Sequence, residues 1–169
     1  MHLNPEYALT ILPHTNEDQV QVNGSLYQGS ISYRGASLDQ AKKLVDVSMA
    51  CGQEVTYDCR NAPLYWEGAN YVRNVAWIDK NGNKMNYWGN SRQDFKCECG
   101  VDGSCSSGSN YKCNCDKGDD VVRRDLGIVK DRRRLPITGI EVVAATGNQY
   151  RSVKVGRLVC SGKKLSIKN

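Results

Sequence analysis

The sequence predicts an α+β domain of antiparallel sheets with one main helix over about 36–50, stabilised by disulfides. Three observations predict it. A single stretch has helical periodicity, many short apolar runs are divided by turn signals, and the cysteines number eight, so they can pair without remainder. The 169 residues suffice for one domain with a real core, and the 40% hydrophobic content is that of a globular chain. No apolar run approaches the roughly 20 residues of a membrane span. The start, MHLNPEYALTIL, lacks a basic region followed by a long apolar stretch, so no signal peptide is read in it.

The helix is ASLDQAKKLVDVSMA. Ser37 and Gln40 have capping-box spacing, so the hydroxyl can accept the Gln40 amide while Gln40 reaches back. Leu38, Ala41, Leu44, Val45 and Ser48 fall on one face, with Lys42, Lys43 and Asp46 opposite. Gly52 is the expected stop. One apolar stripe means that the helix packs on a sheet.

The strands follow from alternation and punctuation. Residues 7–12 are apolar and end at Pro13, which cannot donate to a ladder. Residues 19–22 alternate before an Asn23-Gly24 turn. Residues 53–59 place Val55, Tyr57 and Cys59 on one face. VAWIDKNGNKMNYW reads as a hairpin, strands 75–80 and 83–88, around Asn81-Gly82 in a type I′ turn. Asp79, Asn81 and Asn83 imitate a calcium loop, but the glycine is misplaced and position twelve is Asn90, so the turn reading wins. Further strands are expected at 121–129, from Pro136 through 140–144, at 152–160 and at 165–167.

CECGVDGSCSSGSNYKCNC holds five of the eight cysteines, and raises a choice between metal and disulfide. Zinc would take Cys97, Cys99, Cys113 and Cys115. Cys-x-Cys argues against it, because structural zinc knuckles have two or more intervening residues between the paired thiolates. Cys51, Cys59, Cys105 and Cys160 would also need another role. Disulfides use all eight. Count alone leaves 105 connectivities. The expectation is that the 97–115 segment is tied internally, with one of its cysteines left to pair among Cys51, Cys59 and Cys160. A bond from Cys51 at the helix end to Cys160 on a late strand is plausible on position. Disulfides indicate an oxidising compartment, and the sequon Asn23-Gly24-Ser25 makes Asn23 a candidate glycosylation site.

The ordered motifs resemble a known family. After the helix come CGQEVTYDCRNAPL, a tryptophan segment ending NYWGN, KCECGVDGSC with YKCNCD, DLGIVKDRRRLPITGI and VGRLVC. Together they resemble the fibrinogen C-terminal-like module of contactin-associated (Caspr/neurexin IV) ectodomains, over residues 30–162. The resemblance implies a fibrinogen-like α+β fold and an extracellular, non-catalytic module of adhesion or matrix and filament assembly. Residues 1–29 would be strands and turns packed on or extending that domain, and 163–169 a tail. The chain lacks the Trp-Trp-Tyr-x-x-Cys-His stretch and the closely spaced aspartate loop of fibrinogen-related lectins, so no lectin or calcium residue is carried over.

Chemistry points the same way. The two histidines, His2 and His14, are both N-terminal, and no nucleophile–base pair, phosphate loop or dinucleotide fingerprint is visible; no enzyme and no cofactor is expected. Asp116, Asp119 and Asp120 could offer oxygens to calcium, but a solvated turn explains them better, since about six to eight ligands are needed. Lys130, Arg132, Arg133 and Arg134 form the candidate surface. Arginine forks fit sulfate and carboxylate, hence sulfated glycans or acidic extracellular proteins; Asp125 and Asp131 could instead neutralise a charged turn. Trp66, Trp77, Trp88, Tyr65, Tyr71 and Tyr87 could stack on sugars, though hairpin aromatics are more often core. Strands 7–12 and 165–167 could pair with a neighbour's sheet edge in self-assembly; completing their own sheet is the simpler expectation. Two alternatives remain: a lectin-like recognition domain of innate immunity, and an intracellular zinc module binding nucleic acid through the arginines.

Overall fold

A computed structural model describes residues 7–66 and 72–163. A six-stranded sheet is built around one long strand. β4 (Ala50–Arg60) carries β8 (Arg123–Val129) on one edge, while β10 (Tyr150–Val155) and β11 (Leu158–Lys163) follow each other along its other edge. β1 (Tyr7–Leu12) pairs with β11, and β2 (Val20–Gln21) with β10. A second sheet orders β3 (Tyr27–Ser30), β9 (Gly139–Val142) and β7 (Val75–Ile78); β5 (Tyr65–Trp66) and β6 (Val72–Arg73) form a two-stranded ribbon. Every pairing is antiparallel. With the two helices and four disulfides, this is a disulfide-stabilised α+β domain.

β4 explains its central place. Cys51, Gln53, Val55, Tyr57 and Cys59 all point into the core, so one face of the strand is buried along its whole length. Gln53 is the polar exception and is hydrogen-bonded at both amide atoms. Its Oε1 accepts from the Tyr33 hydroxyl at 2.9 Å and the Ile137 amide at 3.0 Å, and its Nε2 donates to the Gly156 carbonyl at 3.0 Å.

Helix α1 spans Leu38–Val47, shorter than the expected 36–50. The capping box is present in both directions: Gln40 N–H donates to Ser37 Oγ at 3.2 Å, and Ser37 N–H to Gln40 Oε1 at 2.8 Å. The stop is not Gly52, which lies in β4. It is Ser48, whose amide and hydroxyl both donate to the Leu44 carbonyl. Ala41 and Val45 are fully buried, whereas Leu38 is exposed, so the buried stripe is narrower than the periodicity implied.

Three further expectations change. Residues 83–88 are not a strand; beyond β7 only the Ile78–Lys84 bridge pairs. Asn81 does not take the positive φ that a type I′ turn needs at both central positions; Gly82 alone does, at φ 83°, and its amide closes the turn onto the Asp79 carbonyl. The single strand expected at 152–160 is two. The register gains one residue between the Val155–Val55 and Val159–Gly52 pairs, a bulge around Gly156 and Arg157. Helix α2 (Glu98–Asp102) was not anticipated. The expected strand at 165–167, like Tyr71 and His2, lies outside the described residues.

Candidate functional site

The cysteine segment fixes the end of the sheet where β8 begins. Cys97 bonds Cys113 and Cys99 bonds Cys105, both inside the segment; Cys115 bonds Cys59 on β4. Cys51 bonds Cys160, and the helix-end argument for that pair needs correction. Cys51 is a strand residue directly opposite Cys160, with Cα atoms 4.1 Å apart. All eight sulfurs are thus in disulfides, and no thiolate set remains for zinc. The segment doubles back so tightly at α2 that a Cβ on Gly100 would meet the Lys112 carbonyl oxygen at 2.0 Å.

Asp125, on β8, anchors this segment from beneath. Its two carboxylate oxygens accept the amides of Asn114 and Cys115, each at 2.8 Å. Burial favours the neutral acid and outweighs those hydrogen bonds, so the pKa is pushed up to about 6.

The three aspartates proposed for calcium serve separate partners. Asp116 Oδ1 accepts the amides of Leu64 and Tyr65. Asp119 grips Arg123 through two hydrogen bonds and lies 3.5 Å from Lys117; the Arg123 bond lowers its pKa to about 2. Asp120 accepts from Asn61 and faces Arg60. Among the described residues, the one trio of metal-ligand side chains within 4.8 Å of each other is Cys97, Cys113 and Asp125, and its two sulfurs are bonded together.

The basic turn divides into a structural half and an exposed half. Asp131 caps it, since its carbonyl accepts the amides of Arg134 and Leu135 and its carboxylate takes Arg133 at 2.8 Å. Arg134 is committed inward, donating to the wholly buried Asp79 at 2.8 Å. Asp79 also accepts from the amides of Asn81 and Asn83, and these bonds hold its pKa low despite burial. Lys130 and Arg132 are exposed and make no ion pair among the described residues, and the Arg133 side chain is 79% exposed beside its partner. Asn23 is exposed on a turn in which Ser25 N–H donates to the Asn23 carbonyl.

The aromatic candidates are packing residues where they are described. Trp77, Trp88, Tyr65 and Tyr87 are buried, and the indoles donate to the carbonyls of Tyr87 and Asp125. The side chain of Trp66 lies outside the described part. His14 is fully buried: Nδ1 accepts the Asn16 amide, leaving Nε2 to donate to the carbonyls of Val155 and Gly156.

Sequence reasoning missed one surface. The face of the six-stranded sheet opposite the core is an open groove of about 800 Å³. Leu9 and Ile11 of β1, Val159 of β11 and Ile128 of β8 line it, with Lys130 and Lys154 also on the lining. The signal was present in the outward residues Leu9 and Ile11 of 7–12 and Leu126 and Ile128 of 123–129, which are apolar although exposed.

No family model matches the chain. It is 31% identical over 140 residues to contactin-associated protein 1 of Homo sapiens, covering 80% of this chain and 10% of that protein. It is 29% identical over 142 residues to neurexin-4 of Drosophila melanogaster, covering 79% and 11%. Against contactin-associated protein 1 of Mus musculus it is 31% identical over 150 residues, covering 86% and 10%. The chain spans about a tenth of the length of these curated relatives.

Proposed function

We propose that this chain is an extracellular, non-enzymatic module of the fibrinogen-like type that works in adhesion, holding acidic partners through its basic turn. Similarity to contactin-associated protein and neurexin-4 over four fifths of the chain supports the adhesion reading. Four disulfides support an oxidising compartment. The observation that carries the contact is the exposed trio Lys130, Arg132 and Arg133 beside a structurally committed Arg134. Arginine forks on a turn braced from below match sulfate or carboxylate groups of a sulfated glycan or an acidic protein. Burial of Trp77, Trp88, Tyr65 and Tyr87 supports this reading over the lectin alternative. Asn23, exposed in its sequon, is proposed to carry glycan in the secreted protein.

Heparin affinity chromatography tests the contact. Arg132→Ala with Arg133→Ala should elute at clearly lower salt than the parent, and adding Lys130→Ala should lower it further. Lys43→Ala, exposed on α1, is the control. Equal elution of the parent and the triple variant would end the proposal. Arg134→Ala strands the wholly buried Asp79 carboxylate and is unsuitable; Arg133→Ala likewise removes the partner of Asp131, so the Tm of that variant is read beside its elution.

A further inference from the structure

β1 stands at the end of the large sheet, with β11 on one edge and no strand on the other among the described residues. The neighbouring register shows which backbone groups face outward. Met49 N–H donates to the Ser161 carbonyl at 2.7 Å, so Ser161 faces β4. Cys160 and Cys51 oppose each other at the short Cα spacing of a non-hydrogen-bonded pair. Cys160 therefore turns its N–H and C=O to β1, where it is opposite Thr10. By alternation Ala8, Thr10 and Leu12 bond to β11. Tyr7, Leu9 and Ile11 aim their N–H and C=O groups out of the sheet.

Natural edges are usually blunted by a lysine, a proline or a bulge. YALTIL contains no charge and no proline, and its register against β11 is unbroken from Tyr7–Lys163 to Leu12–Leu158. Leu9 is 65% and Ile11 53% exposed, and Ala8 and Thr10 are exposed as well.

We infer that this edge docks a second copy of the chain, β1 against β1, antiparallel about a two-fold axis at Leu9. The register follows from the backbone. Centring on Leu9 sets Tyr7 opposite Ile11 of the second copy, so all three outward residues exchange hydrogen bonds. Centring on Thr10 would set Tyr7 opposite Pro13, which has no N–H to give. Charge permits the pairing although each copy carries +5. The strand itself is neutral. Lys130 stands at the end of β8, three strands inward, so about 34 Å separates the two β8 strands at ~4.8 Å per step. That is several times the Debye length of about 8 Å. On the groove side, Leu9 and Ile11 would join across the axis, continuing the apolar row that includes Val159. The contact is isologous and closes at two copies.

Sedimentation velocity of the oxidised full chain over a concentration series tests this, together with residue-resolved amide exchange. A concentration-dependent dimer is expected. The amides of Leu9 and Ile11 should be protected in the dimer alone, while those of Ala8 and Thr10 are protected in both states. Leu9→Lys should leave a monomer at every concentration with unchanged Tm, since the side chain is exposed. Leu126→Lys, on the same sheet face but on β8, should dimerise as the parent does. A parent that stays monomeric at millimolar concentration overturns the inference. So does a dimer that survives Leu9→Lys, or one whose Leu9 and Ile11 amides exchange freely. Heparin retention is read separately, so failure here and failure of the basic-turn contact are distinguishable.

Discussion

Asp125 shows how a single carboxylate can brace the cysteine segment and still weaken the fold at neutral pH. It is 2% exposed, and burial lifts its pKa to about 6. In an unfolded chain an aspartate titrates near ~3.9. Its contribution to stability is therefore complete below that value and is lost as pH rises through about 6. Lowering the pH from 7 to 5 should raise the unfolding free energy by about 1 kcal/mol from this group. Asp131 acts in the opposite sense, because the Arg133 hydrogen bond holds its pKa low, and Asp79 does so through the bonds that outweigh its burial. Their stabilisation is present above the ordinary aspartate range and disappears as pH falls through their lowered values, so the two effects occupy different windows. Asp125→Asn should flatten the slope between pH 5 and 7. It should also cost roughly 1–3 kcal/mol, because the amide offers one acceptor where two backbone N–H groups need one each. Urea unfolding at pH 5, 6 and 7 reads both effects, and a variant with the parent's slope would show that Asp125 ionises normally. None of this was legible in DLGIVK: the sequence marks an aspartate in a strand, and its burial comes from the disulfide-bonded loop laid over it.

At the scale of elements, the NYWGN segment and β8 meet backbone to backbone. A Cβ on Gly127 would lie 2.5 Å from the Gly89 Cα, and one on Gly89 would lie 2.7 Å from the Gly127 Cα. Trp88 seals the contact by donating its indole N–H to the Asp125 carbonyl at 3.0 Å. The Asn81-Gly82 turn signal is what made 83–88 read as a strand, and Met85 and Tyr87 there are buried in alternation all the same. Their burial comes from a loop packed against the core, a pattern that period alone cannot separate from pairing. The capping box of α1, by contrast, was legible because both hydrogen bonds are local. The bulge at Gly156 and Arg157 was not, because it is set by the register of a distant strand. Gly127→Ala should cost about 1–3 kcal/mol by forcing the loop off β8. That corresponds to a Tm lower by roughly 3–10 °C. Gly162→Ala, with open space around its Cβ, should change Tm little. Equal Tm values for the two variants would refute the close approach as a stability determinant.

Across the whole molecule, the disulfides divide the work by loop length. Cys99–Cys105 closes 6 residues and shapes α2, whereas Cys51–Cys160 closes 109 and ties the central strand to β11. The odd number of cysteines in the 97–115 segment made one link to the rest of the chain legible. It did not name the partner, since Cys59 becomes adjacent to Cys115 only once β4 and β8 are paired. Chain-entropy arguments give about 2 kcal/mol for the small loop and roughly 4.7 for the large one. The Cys59–Cys115 bridge spans 56 residues inside the large loop and shortens it by about half. The dependence is logarithmic, so the expected value falls only to about 4 kcal/mol. Replacing Cys51 and Cys160 by alanine together should therefore cost about twice as much in urea unfolding as replacing Cys99 and Cys105. The edge that carries β1 hangs on β11, so the same pair of substitutions should also loosen β1, speeding amide exchange at Thr10 before global unfolding. A larger loss from the small loop, or unchanged exchange at Thr10, would mean that β11 holds its register without the bridge.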